Sequence, residues 1–272
     1  MKILISADME GVTGVTCPDD VEPGNPRWDY CRRLLTADVN AAVVGLYEAG
    51  ATEVLVNEAH DNKRNLLIDQ LDPRAVALIG THKPLGMMQG IEWADAAVFL
   101  GYHTAAGRPG VLSHTYVGMT VGGVRINGIE SGEGRMNALL AAEYGVPVIL
   151  TTGDDLTCLE AASWSLQTVA VKEHVDRYSA RCIPPARTAD LIRTGAAAGL
   201  RALTAPPRPA GPFTYEVDFH VTQAVAAVTG IPGVEAIGER SVSFTLPTMY
   251  AAIRCFRALV MLAAASAERN YG

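Results

Sequence analysis

Cysteine is sparse and scattered, aromatic residues make up only 6% of the chain, and basic residues are outnumbered by acidic ones. Each shortage excludes something. The five cysteines, Cys17, Cys31, Cys158, Cys182 and Cys255, are odd in number and never spaced C-x-x-C. That pattern removes a disulfide framework and a zinc knuckle, and leaves reduced core thiols. Twenty-two Lys and Arg against 29 Asp and Glu give a net charge of -7, with no basic stripe to neutralise phosphates. Nucleic acid is therefore not expected as a partner. The chain opens with one lysine and a short apolar run broken at Asp8, too short for a secretory signal, and no apolar run reads as membrane-spanning. A cytoplasmic protein with no membrane partner is the expectation.

What is present is the material of a large core. The 272 residues are 49% hydrophobic, with 26 Gly and 15 Pro, enough for one large domain or two modest ones. Short runs rich in Val, Ile and Leu, at 2–7, 53–57, 75–79, 96–101 and 147–151, alternate with helical patterns. This is the mark of a parallel sheet covered on both faces. Asn25-Pro26 reads as the start of a helix, its apolar stripe runs from Cys31 to Leu46, and Gly50 stops it. A second helix is expected from Glu133 to Gly145. Alternating residues around Gly122-Gly123 suggest an inserted β-hairpin over 111–129. Further on, "TVAVKE" reads as a strand, 188–203 as a helix, 204–212 as a linker and 247–267 as a closing helix. The expected fold is α/β, a three-layer α/β/α sheet, mostly parallel, with the inserted hairpin and a smaller C-terminal α+β lobe. Its expected divisions are a metal-binding catalytic domain at 1–203, the linker at 204–212 and the lobe at 213–272.

The stretch "SADMEG" at 6–11 carries the first functional signal. If strand geometry continues past Ala7, Asp8 and Glu10 point to the same side. Two carboxylates in one small volume require a cation, a shared proton or exposure to water. His60 follows the second strand in "VLVNEAH", and His103 follows the fourth in "AVFLGYH". All four residues fall at carboxyl ends of strands, the edge where open α/β sheets bind ligands. Glu133, in "ESGEGRMNA", offers a fifth donor. Mixed histidine and carboxylate ligation without thiolate suits zinc, with manganese, cobalt or nickel compatible by geometry. Five donors exceed what one catalytic zinc takes from protein. Two ions sharing a bridging carboxylate, about 3.5 to 4 Å apart, would use them all and would activate a water for amide hydrolysis.

Plainer readings compete with each of these. Carboxylates after a strand are often solvated or cap helices, and a histidine near a strand end is often a surface residue. His82, His174 and His220 carry no pattern beyond that. His114, in "VLSHTYVG", is either a packed strand residue or a general acid/base or oxyanion donor reaching over the rim. "TTGDD" at 151–155 reads at least as well as a turn and helix cap as it does as a site. A nucleotide- or metal-binding protein without catalysis is the alternative class. The first strand lacks the G-x-G-x-x-G turn, though, and its acids would repel phosphate unless a magnesium ion intervened.

The motifs together resemble the zinc-dependent D-aminopeptidases of the DppA type, whose opening signature is S-x-D-x-E-G. The likeness continues through "VLVNEAHDNKRNL", "GYHTAAG", "LSHTYVG", "INGIESGEGRMNA", "VPVILTTGDDLTCLEA" and "IPGVEAIGERSVSFTL", and so spans essentially the whole chain. The resemblance implies metal ligands Asp8, Glu10, His60, His103 and Glu133, with Asp8 bridging two zinc ions, and His114 as the catalytic residue. It also implies removal of N-terminal D-amino acids, typically D-alanine, from short peptides and amides, and a homodecamer of two stacked pentameric rings. An amidase, or a peptidase of another N-terminal specificity, is the close alternative. One block departs from the family pattern: Glu58 and Asp61 flank His60 where the family more often has a smaller residue and a glycine.

Overall fold

The computed structural model describes residues 1–266; position 267 of the expected closing helix and the rest of the expected 213–272 lobe lie outside the described residues. The chain runs β1 (Lys2–Ala7), α1 (Pro26–Glu48), β2 (Glu53–Glu58), β3 (Ala75–Leu78) and β4 (Ala96–Leu100). Next come β5 (Val121–Ile126), β6 (Ile129–Glu130), α2 (Glu133–Glu143), β7 (Val148–Asp154), α3 (Asp155–Ala161), β8 (Thr168–Asp176), β9 (Ser179–Cys182) and α4 (Pro185–Arg201). It finishes with β10 (Phe213–Phe219), α5 (Gln223–Val228), β11 (Glu235–Ala236), β12 (Ser241–Leu246) and α6 (Met249–Ser266).

Two sheets result. The larger has the order β3-β2-β1-β4-β7-β8-β9 and is parallel except for β9, which returns antiparallel to β8. The sequence KILISA takes its centre because it is apolar on both faces. Ile3, Ile5 and Ala7 enter the core beneath α1 and α4, while Leu4 enters the core shared with α2, α6 and the second sheet. Helix α1 begins where the Asn25 side chain accepts a hydrogen bond from the Arg27 amide at 3.0 Å and Pro26 occupies the first turn. Its buried stripe of Cys31, Leu35, Val39, Ala42, Val43 and Leu46 recurs at helical spacing. The architecture is thus a mostly parallel sheet with flanking helices, joined by an antiparallel sheet ordered β11-β12-β10-β5-β6.

Several local expectations change. The hairpin is β5–β6, not 111–129, and it turns at Asn127-Gly128 rather than at Gly122-Gly123. Both turn residues have positive φ, 51° and 76°, and Ile126 pairs with Ile129, the pattern of a two-residue hairpin loop. Gly122 and Gly123 lie inside β5, which pairs with β10, so the hairpin belongs to the second sheet. Residues 111–120, including His114, form a loop ahead of it. The "TVAVKE" strand extends to Asp176 and gains the partner β9. Helix α6, with mean hydropathy 1.4 over 18 residues, is long and apolar enough to cross a membrane, contrary to the expectation from the sequence. Its Met249, Ala252, Ile253, Phe256, Leu259, Val260 and Ala263 are buried at helical spacing, the pattern of a core helix.

Candidate metal centre

The carboxyl ends of β2, β1 and β4 are neighbours, and backbone bonds lace them together. The Ala59 amide donates to Ala7 O at 2.7 Å, Asp8 N to Leu100 O at 2.8 Å and Gly11 N to Gly101 O at 2.8 Å. Glycine follows the two acids because no side chain fits: a Cβ on Gly11 would lie 1.9 Å from Tyr102 O. Ser6 faces the other way, donating to Met87 O at 2.7 Å and lying 2.8 Å from the Tyr102 hydroxyl. Strand β1 ends at Ala7, so strand alternation does not extend to Glu10. The two acids converge all the same, because the chain turns over the end of β4.

A buried lysine sets that turn. Lys172, on β8 and 1% exposed, donates from Nζ to Glu10 O at 2.6 Å, Val12 O at 3.0 Å and Val15 O at 2.6 Å. Asp38 completes the anchor by accepting from the amide and the hydroxyl of Thr13, each at 3.0 Å. Asp154, the "TTGDD" acid, caps α3 by accepting from Thr157 N at 2.7 Å. Its other oxygen takes the Val111 amide at 2.7 Å, tying down the loop that carries His114. Asp155 accepts from the amide of His174 at 2.6 Å. The motif is therefore structural.

Asp8, Glu10, His60, His103 and Glu133 meet at one buried point, with His114 beside them. His60 Nδ1 lies 3.4 Å from Asp8 Oδ1 and 3.1 Å from the Glu10 carboxylate, and its Nε2 lies 3.0 Å from Val21 O. His103 Nε2 is 3.6 Å from both Asp8 Oδ2 and Glu133 Oε2, while its Nδ1 is 2.9 Å from Thr104 O. In each ring a backbone carbonyl fixes one nitrogen as the donor and leaves the other facing the acids, the arrangement typical of metal-binding histidines. Glu133 sits in the first turn of α2, and its Oε1 accepts from Tyr116 N at 2.6 Å. His114 stacks on His103 with centroids 4.2 Å apart. Its Nδ1 is 2.9 Å from Leu112 O and its Nε2 is 3.7 Å from Glu10 Oε1. His82, His174 and His220 lie outside this cluster; His220 Nε2 is 3.1 Å from Gly118 O.

The donor set fits divalent cations. Three triads have ligand atoms within 4.8 Å of one another: Asp8–Glu10–His60 and Asp8–His103–Glu133, which share Asp8, and Glu10–His103–His114, which brings in the partly exposed His114. Asp8 Oδ2 and His103 Nε2 are buried without a hydrogen-bond partner, 3.6 Å apart and facing the same space. A buried polar group left unsatisfied is costly, and an ion between these two atoms would satisfy both.

Electrostatics show the same strain. Burial, followed by the charge of Glu10, pushes the Asp8 carboxyl up to about 7. Burial acts likewise on Glu10 and Glu133, but His60 and His114 together hold Glu10 well below its usual range. His103, His114 and the Tyr116 amide hold Glu133 down at about 2. Burial opposes charge on the histidines, yet the acids raise His60 well above its ordinary value and His103 to about 10. His114 goes the other way, lowered by burial and by His103. The acids thus favour positive charge at His60 and His103, a charge that a divalent cation bound there would supply instead.

The two residues that break the family pattern have separate places. Glu58 is fully buried, and its carboxylate accepts from the amides of Asn65 and Leu66 and from Asn65 Nδ2, shaping the loop that carries His60. Asp61 is exposed and lines a cavity of about 600 Å³ that opens over Asp8, Glu10, His60, His114 and Glu133.

Known proteins resemble this chain over nearly its whole length. The model of the family Peptidase_M55, D-aminopeptidase, matches residues 1–258. The chain is 33% identical over 278 residues to the D-aminopeptidase of Bacillus subtilis (strain 168), covering 97% of this chain and 98% of that one. The solved structure of the Zn-dependent D-aminopeptidase DppA from Bacillus subtilis, described as a self-compartmentalizing protease, matches with a TM-score of 0.93 at 30% identity. The match covers 98% of this chain and 100% of that one. Fold and relatives define a zinc-type metallopeptidase, a hydrolase. The chain belongs to the D-aminopeptidase family, as the opening "SADMEG" and the blocks after it implied.

Proposed function

We propose that this protein removes N-terminal D-amino acids, D-alanine foremost, from short peptides and amides, using two metal ions and His114. The observation that carries the reading is the pair of donor triads meeting at Asp8, with Asp8 Oδ2 and His103 Nε2 buried and unpartnered. In this reading Asp8, Glu10 and His60 would hold one ion, and Asp8, His103 and Glu133 would hold the other. Zinc is the first choice, from the ligand chemistry and the zinc-dependent relative; manganese, cobalt and nickel are compatible. Ions bound there supply Lewis-acid polarisation of the scissile carbonyl and lower the pKa of water toward 7.

The chain's own groups then divide the remaining work. Carboxylates at the rim attract the substrate's α-ammonium. His114 donates from Nδ1 to Leu112 O, which leaves the lone pair of its neutral ring on Nε2, facing the acids. That nitrogen takes a proton from the attacking water and returns it to the departing amine. The buried floor, with Asp8 and His103 each 3% exposed, keeps bulk water from competing. Assembly as a homodecamer of two stacked pentameric rings and a cytoplasmic location belong to the same proposal; the related DppA is described as self-compartmentalizing.

The test is metal content together with D-Ala peptide hydrolysis in the wild type, Asp8→Ala and His114→Ala. Asp8→Ala should lose both metal and activity. His114→Ala should keep metal and lose about 100- to 10,000-fold in kcat. Full metal and full activity in Asp8→Ala would sink the site assignment.

A further inference from the structure

The cavity over the metal centre carries a second kind of charge, which the centre itself does not use. Among its described lining residues Lys63 and Arg257 are the only lysine and arginine. Lys63 directs Nζ to the carbonyl of Ala59, within the loop that carries His60. Arg257 reaches the cavity from α6, an element that contributes none of the metal donors.

The Arg257 head is held in place rather than loose. Its Nη1 donates to Lys83 O at 2.8 Å and to Pro84 O. Gly86 makes the room: its φ is +55°, and a Cβ there would stand 2.8 Å from Arg257 Nε and 2.9 Å from Cζ. Both acceptors are backbone carbonyls. Among the described residues no carboxylate lies within ion-pair distance of Arg257, and it is the only arginine lining the cavity over the acids. The hydroxyl of Tyr116, lining the same cavity, is also buried without a partner. A guanidinium has five donors and is always charged, so one fixed by carbonyls through a single nitrogen retains donors for an anion.

We infer that Arg257 is a specificity-determining residue that binds the carboxylate of the peptide remainder leaving the centre. The inference rests on the aminopeptidase reading and adds to it a preference for short peptides with a free C-terminus. A dipeptide then has its ammonium and scissile carbonyl at the acidic floor and its carboxylate on the guanidinium. A planar fork meeting a planar carboxylate gives orientation as well as attraction.

Two substrates isolate the contact: D-Ala-D-Ala and D-Ala-D-Ala amide, which share the cleaved bond and differ only in the terminal carboxylate. In the wild type, kcat/KM should favour the free acid. In Arg257→Ala the ratio of the two kcat/KM values should fall about 10- to 100-fold, through KM for the acid rather than through kcat. Arg257→Lys should retain part of the ratio, since a point charge replaces the fork. A ratio unchanged in Arg257→Ala overturns the inference, including the case where both substrates weaken equally because the Lys83–Gly86 segment has shifted. A wild type that cleaves neither substrate while holding its metal overturns the aminopeptidase reading and the inference with it.

Discussion

Two clusters of charge in this molecule share similar ingredients and differ in completeness. On the second sheet, Arg125 donates to Glu216 at 2.7 Å and to Asp218 at 2.8 Å, with all three side chains about one-third exposed. Every charge there has its partner, so the cluster is finished. At the rim of the first sheet, three acids and two histidines are nearly sealed from water, yet most of their approaches are 3.4 to 3.6 Å and two atoms bond to nothing. Buried charges held at 3.4 to 3.6 Å are spaced for coordinating a cation rather than for pairing with one another. A fold tolerates such a centre where a ligand completes it, and that contrast separates a site from an ordinary ion pair.

The contrast can be broken most severely by stripping the rim. Dialysis against a chelator, with metal loss confirmed by elemental analysis, should lower D-Ala peptide hydrolysis by about 1,000-fold or more, and added zinc should restore it. Activity that persists in the metal-free protein would make the two clusters equivalent.

Lys172→Met should come next, because it removes the ammonium shared by Glu10 O, Val12 O and Val15 O. Leaving those carbonyls without a donor should cost about 3 kcal/mol in denaturant unfolding. Displacing Glu10 should also weaken zinc affinity about 10- to 100-fold. A variant that lost stability but titrated zinc normally would assign Lys172 to packing alone.

Arg125→Ala should have the smallest effect, within about 1 kcal/mol and with hydrolysis unaltered. Its pH dependence can be worked out. Burial alone would raise the Asp218 carboxyl, but the Arg125 and Ser241 hydrogen bonds lower it below its ordinary value. Stability from that lowered acid is present above its ordinary value of 3.8 and is lost as pH falls through the folded value. The gap between wild type and Arg125→Ala should therefore narrow as unfolding is measured from pH 7 down toward pH 3.5. A gap that widened would mean the exposed cluster is also strained.

The sequence made the rim legible because donor side chains at the carboxyl ends of parallel strands need only strand positions to be placed together. Asp8, Glu10, His60 and His103 were readable for that reason, even though alternation beyond Ala7 was the wrong route to Glu10. Lys172 was not readable as a support. A lysine in "TVAVKE" looks solvated until the loop that wraps its ammonium is seen. Arg257 carried no motif, since its neighbours Lys83, Pro84 and Gly86 are far away in sequence. The Asn127-Gly128 turn was present in "INGIES", but the glycine pair inside β5 drew the expected turn five residues too early. Strand β9, exposed at a sheet edge, lacks the apolar run that made the central strands plain.

Arg257, Val260 and Met261 line the cavity from α6, an element that supplies none of the candidate metal donors, so the proposed catalyst has separable parts. In the proposed reading, varying those helix positions would retune which peptides are accepted without changing any of the acids and histidines of the floor.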